Sequence, residues 1–183
     1  IKVHRGLDQI GGCITEISTE TSRVFIDFGQ NLPGNGEPTT PEEDEALVTH
    51  ILAQNKKQHE AVFYTHGHED HVGLFEYIPE DVPQYMSEGT KGLLKIKYDA
   101  LYEGANLKVN QLLDIGCDSQ EYSDAINNLL YADNKCKLLN KIQVWKRTSP
   151  RKIPESICIG DIMITPFFNC HSIYDSHMFL IEA

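Results

Sequence analysis

His66-Gly67-His68-Glu69-Asp70-His71 follows directly on the apolar run Ala61-Val62-Phe63-Tyr64. Within six residues His66, His68, Asp70 and His71 offer four side chains that bind metals. Imidazole nitrogen and carboxylate oxygen are the usual ligands of zinc and related divalent ions. An apolar run of this length reads as a buried strand, so the ligands fall just past a strand end. A strand end fixes the backbone while the following loop turns several ligands into one space. A surface histidine tract lacks both the preceding strand and the mixture of ligand types. His66 and His68 are two apart and point to the same side of an extended loop, and Gly67 permits close backbone approach. Asp70 and His71 continue the loop toward a second ion. Two ions about 3.5–4 Å apart would share and deprotonate a water and polarise a substrate oxygen.

Upstream, Ile1-Lys2-Val3-His4, Cys13-Ile14-Thr15-Glu16-Ile17 and Arg23-Val24-Phe25-Ile26-Asp27 read as strands of a meander, broken by Gly11-Gly12 and by a polar turn at Thr19 to Ser22. Gly11-Gly12 is a bend rather than a phosphate loop. Asp27-Phe28-Gly29 closes the third strand, and Pro33-Gly34-Asn35-Gly36 breaks the chain. Thr40-Pro41-Glu42-Glu43 sets an N-cap, a first-position proline and a capping glutamate, with Leu47, Val48, Ile51 and Leu52 along one helix face. Downstream, Val72 to Ile78 is expected as a short helix, Val82 to Met86 as a strand, 87–140 as mainly helical, and Lys141 to Trp145 as a strand. Ser156 to Ile159 and Asp161 to Phe167 form a hairpin around Gly160, and His177 to Ile181 is the last strand. His177 reads as structural, as do His4, His50 and His59, which have no evident partners.

The 183 residues are 40% hydrophobic and 23% charged, ordinary for one globular domain with a sizeable core. The net charge of −11 disfavours broad, non-specific binding to nucleic acid. It leaves room for a nucleic-acid enzyme whose site carries local positive charge, and metal ions are such a charge. The basic run Lys146 to Lys152 reads as a solvated loop. Five scattered cysteines without a CxxC pair exclude a disulfide framework and a zinc finger; Cys158, between Ile157 and Ile159, is expected in the core. A cytoplasmic location and no membrane segment are expected. The chain begins at Ile1, and a processed or excerpted product is expected.

Thr65 to Gly73 resembles the HxHxDH signature of the metallo-β-lactamase superfamily. Asp27-Phe28-Gly29 is similar to that family's first motif, and His171 in Asn169-Cys170-His171-Ser172 to its third. Gln9 to Cys13 and His171-Ser172-Ile173-Tyr174-Asp175-Ser176, with Tyr174 in place of a proline, resemble the ribonuclease J and β-CASP nuclease branch. The resemblance implies an α/β (α+β) four-layer αββα sandwich, of which this chain holds the first half and the opening strands of the second. It implies one ion on His66, His68 and His171, and a second on Asp70 and His71. Asp70 would also orient the nucleophilic water, with Asp27 supporting the site by hydrogen bonding. Read from the residues alone, Ser172 is a candidate substrate-phosphate contact or a turn cap. The implied cofactors are two divalent ions, zinc or manganese, and the implied activity is phosphodiester hydrolysis of RNA or DNA. Hydrolysis of thioesters, lactones or lactams is the alternative on the same fold, and a non-catalytic metal-binding fragment is another. The family's later bridging Asp and final His are not placed before Ala183, nor is a β-CASP domain. The expectation is therefore an incomplete domain spanning 1–183, with a helical insertion at 87–140, that holds at most one ion well.

Overall fold

The computed structural model describes residues 1–32, 39–114, 120–145 and 152–183. The chain divides into two compact units, Ile1–Thr90 with Ile142–Ala183, and Lys91–Lys141.

The first unit carries two sheets. The larger has the order β1 (Lys2–Arg5), β2 (Ile14–Ser18), β3 (Ser22–Ile26), β4 (His59–Phe63), β5 (Gln84–Met86), β6 (Gln143–Val144). Short turns make β1, β2 and β3 antiparallel, whereas helix α1 (Pro41–Ala53) carries the chain back so that β3 and β4 run parallel. β5 and β6 extend the parallel part. The smaller sheet is the antiparallel set β7 (Ile157–Ile159), β8 (Ile162–Phe168), β9 (His177–Glu182). This is a mixed α/β architecture, the fold class that the resemblance implies.

Strand alternation explains the layering. Val24, Ala61 and Phe63 point to one side of the large sheet and pack with Ile159, Ile162 and Ile164 of the small one. Phe63 also stacks on Tyr85, ring centroids 4.8 Å apart. Arg23 points to the other side, fully buried, and donates to the carbonyls of Leu52 (2.6 Å) and Gln54 at the end of α1. Its Nε faces Glu60 at 2.5 Å. The guanidinium thus satisfies carbonyls that the helix itself leaves open. At the other end of α1, Thr40 and Glu43 form the expected capping box.

The second unit is a pair of helices: the part of α3 (Glu88–Asp114) from Lys91 onward, and α4 (Gln120–Lys141). Val109, Leu112 and Ala125 form its small core with Tyr122, Ile126 and Leu129 around them. α3 runs through Gly92 and Gly104, where an added Cβ would meet nothing within 4 Å. Each glycine costs a helix about 1 kcal/mol, and 27 residues absorb that.

Several expectations are corrected. The stretch Val72 to Ile78 is not one helix: α2 (Glu69–Val72) starts inside the histidine motif, and a separate 3-10 turn covers Phe75–Tyr77. Gly73 marks the break, since a Cβ there would stand 2.5 Å from the Glu69 carbonyl oxygen. β6 is only two residues long because α4 runs on to Lys141. Cys158 is exposed rather than in the core. Its neighbours in β7 face the opposite way, with Ile159 buried. His4 and His50 do have partners: Glu16 Oε2 stands 2.7 Å from His4, brought alongside by the pairing of β1 with β2, and the Gln54 side chain meets His50 four residues on. The breaker at 33–36, Cys117 and most of the basic run (146–151) lie outside the described residues.

Candidate metal centre

The site is built where β3 and β4 end side by side. Beyond Ile26, Asp27 takes a left-handed backbone, φ 62°, and its N–H donates to Phe63 O at 2.9 Å. The next residues then run against the histidine motif. Phe28 N–H donates to His71 O (2.9 Å), Gln30 N–H to Glu69 O (2.8 Å) and Cys13 N–H to Asp70 O (3.0 Å). Every carbonyl from 69 to 71 is thereby held by a strand-end amide. The close approach needs glycine: a Cβ on Gly29 would lie 1.7 Å from Asp70 O. On the other side, Gly11 at φ 82° leaves room for the Asp70 side chain, whose Cβ would be 2.9 Å from an added methyl. The bend at Gly11-Gly12 thus shapes the wall of the ligand turn.

His66, His68 and His171 converge, with one ligand atom from each lying within 4.8 Å of the others. His66 is 3% exposed, whereas His171 is open to solvent. His66 Nε2 and His68 Nδ1 are 3.1 Å apart. The His66 and His171 rings are 4.6 Å apart at their centroids, nearly perpendicular. Asp70 and His71 lie beside this trio, Oδ2 to Nε2 at 3.6 Å. Among the described residues no second group of three or more donors occurs.

Asp27 organises the histidines from behind. Its Oδ1 accepts from Thr65 N–H (2.8 Å), and its Oδ2 accepts from Thr65 Oγ1 (2.8 Å) and from His71 Nδ1 (2.7 Å). With the Thr65 hydroxyl proton given to Asp27, Thr65 Oγ1 accepts from His66 Nδ1–H at 2.8 Å. One carboxylate therefore sets two imidazoles in the same tautomer, Nδ1 protonated, directly for His71 and through Thr65 for His66. In that tautomer Nε2 of each neutral ring keeps its lone pair, the form a metal takes. Thr65 was not singled out from the sequence; the only signal is its place between the apolar run and His66.

The electrostatics follow the burial. Burial, then the neighbouring His71, His68 and His171, pushes the His66 imidazole down to about 3, so it stays neutral. Burial acts the same way on His71, but the hydrogen bond and charge of Asp27, with the charge of Asp70, outweigh it and move that ring upward. Burial raises the Asp27 carboxyl, opposed by His71 and Thr65.

These residues fit a divalent ion on chemical grounds. The donors are imidazoles, the deepest of them is held neutral, and two of their nitrogens already face each other. Two nitrogens bound to one tetrahedral zinc at 2.0–2.1 Å stand about 3.3 Å apart, close to the 3.1 Å between His66 and His68. A cavity of about 400 Å³ opens in front, lined by Ile26, His66, His71, His171, His177 and Phe179 among others. His177 is buried and donates its backbone N–H to Thr65 O at 2.9 Å. Ser172 is exposed on the same loop as His171.

No family model matches the chain. It is 32% identical over 98 residues to ribonuclease J of Helicobacter pylori, a match covering 51% of this chain and 14% of that protein. It is 30% identical over 97 residues to the transcription termination factor FttA of Thermococcus kodakarensis, covering 50% of this chain and 15% of that one. The matched stretches thus span about a seventh of the length of these relatives. A crystal structure of a protein of unknown function from Enterococcus faecalis V583 superposes with a TM-score of 0.60, covering 98% of this chain and 40% of that one at 20% identity. That likeness concerns the fold alone. No described helix is long and apolar enough to cross a membrane.

Proposed function

We propose that the chain carries part of a metallo-β-lactamase-type, metal-dependent phosphodiesterase that acts on RNA or DNA. The observation that carries this reading is the convergence of His66, His68 and His171 in front of an Asp27 carboxylate that fixes the tautomers of His66 and His71. The similarity to ribonuclease J supports a phosphodiester substrate over a thioester, lactone or lactam.

His66, His68 and His171 would hold one divalent ion, zinc or manganese, with Asp70 and His71 contributing to a second. Such ions supply Lewis-acid charge to a substrate oxygen and lower the pKa of a water. The chain's own residues do the rest. Asp27 and Thr65 aim the His71 and His66 rings, burial keeps His66 neutral, the carbonyls of 69–71 are fixed by Cys13, Phe28 and Gln30, and the Asp70 carboxylate would orient the attacking water. Ser172, exposed beside His171, would meet substrate at the rim. Concentrated positive charge from ions would also offset the net charge of −11 where a phosphate must approach.

The full-length protein is expected to cleave RNA or DNA, to lose that activity to a chelator and to regain it with zinc or manganese. A panel of thioesters, lactones and lactams run in parallel separates the alternatives; hydrolysis of one of these and of no phosphodiester overturns the nuclease reading. For this chain, elemental analysis should find at most one well-held ion, because among the described residues only the trio groups three donors. Two fully occupied ions would contradict that assignment.

A further inference from the structure

We propose that Asp175 is a positioning residue that clasps the 169–176 loop to the first turn of α3 and so sets where His171 stands. This rests on the reading of His171 as an ion ligand.

The loop leaves β8 after Phe168 and returns at His177. Its base is closed by Asn169 N–H donating to Ser176 O at 2.8 Å, and by His177 N–H donating to Thr65 O. Between these points His171 is exposed and meets the site through the rings of His66 and His68. Its position is thus set by the loop's own conformation. Asp175 supplies the constraint. Its carboxylate Oδ2 accepts the Gly89 backbone N–H at 2.9 Å, one of the amides that the start of a helix leaves open. Its carbonyl accepts Ser87 Oγ at 3.0 Å and His177 Nδ1 at 2.9 Å. Ser87 in turn accepts Thr90 N–H at 3.0 Å, so the anchor is itself a capped helix start.

Two independent features mark the clasp as a built contact. Asp175 holds a left-handed φ of 58°, which Asp, Asn and Gly tolerate and other residues resist. Gly89 has no room for a side chain: a Cβ there would stand 2.5 Å from Asp175 Cβ and 2.6 Å from the Tyr174 ring. The loop occupies the space that glycine leaves open.

The test uses the full chain and three variants. Asp175→Gly keeps the backbone conformation but deletes the acceptor, Asp175→Asn keeps both, and Gly89→Ala intrudes from the helix side. Two readouts are taken: the nuclear Overhauser contact between the His66 and His171 rings in ion-free protein, and the affinity for Co(II) followed by its visible bands. Asp175→Gly and Gly89→Ala are expected to lose the ring contact and to weaken Co(II) binding about 10–100-fold, the usual effect of outer-shell partners. Asp175→Asn should restore both. The double variant Asp175→Gly/His171→Ala should bind no more weakly than His171→Ala alone. An intact ring contact and unchanged Co(II) affinity in Asp175→Gly overturn the proposal, as does full additivity with His171→Ala. Wild-type protein that binds no Co(II) while its ring contact responds to the variants overturns the metal reading and leaves the clasp standing. A ring contact that ignores all three variants removes the clasp whatever the metal does.

Discussion

The turn at 65–72 and the loop at 169–176 deliver histidines to the same place by different means. The turn is locked: its carbonyls at 69, 70 and 71 are each held by an amide from another strand end, and its side chains are fixed from behind by Asp27. The loop is hung: His171 is exposed and depends on a clasp four residues away. Backbone bonds among three buried strand ends preorganise the first two nitrogens, and a peripheral contact supplies the third. A disturbance inside the turn should therefore cost the fold, and one in the loop should cost only ion binding.

Gly29→Ala is the harshest way to test that contrast. Its Cβ would collide with Asp70 O at 1.7 Å, a backbone atom that cannot swing aside. Loss of stability of about 4 kcal/mol or more is expected, the tail that buried collisions populate. It would appear as a large drop in the urea midpoint, and a midpoint near wild type would show that the turn is less rigidly held than its bonds imply. Asp27→Ala should come next. It strands Thr65 N–H, the Thr65 hydroxyl and His71 Nδ1–H, and buried groups left without partners cost about 1–3 kcal/mol each before relaxation. Ion affinity should fall with stability, unlike in the loop variants; affinity falling alone would place Asp27 outside the scaffold of the turn.

The smallest effect is in pH. In the ion-free chain His66 is held to about 3, against 6.5 for a free imidazole. Between those values the unfolded chain takes up a proton that the folded one refuses. Its contribution to stability is present above 6.5 and is lost as pH falls toward 3. His71 acts in the opposite sense, since its raised value adds stability below 6.5 that is lost as pH rises through the folded value. Asp27 also leans toward acid, its raised folded value favouring the protonated fold. The useful quantity is thus the difference between wild type and His66→Ala. Urea midpoints in chelator from pH 7 to pH 4 should fall more steeply for wild type; parallel curves would contradict a neutral, buried His66.

The strands of the two sheets and α1 were legible because each rests on a local pattern: alternation, a capping box, a glycine between two apolar runs. The convergence of His66, His68 and His171 followed from the resemblance, and the structure brings those three together. What could not be read was anything set by contacts across the chain. Thr65 matters because it stands between Asp27 and His66, which requires β3 and β4 to be neighbours. Gly29 and Gly89 look like ordinary glycines until Asp70 and Asp175 are found against them. His4 seemed unpartnered because Glu16 is twelve residues away and comes alongside only when β1 pairs with β2. The short β6 and the split after Val72 failed for a related reason: apolar content alone does not say where a helix stops.

The bond from His177 N–H to Thr65 O joins residues more than a hundred positions apart. In terms of chain closure, the locked turn draws only on segments within the first 90 residues, which can meet early in folding or during synthesis. The third histidine arrives only when β9 docks against the end of the earlier sheet, a long-range closure that topology makes slow. The open trio should therefore pass through a period with two nitrogens in place and the third still absent.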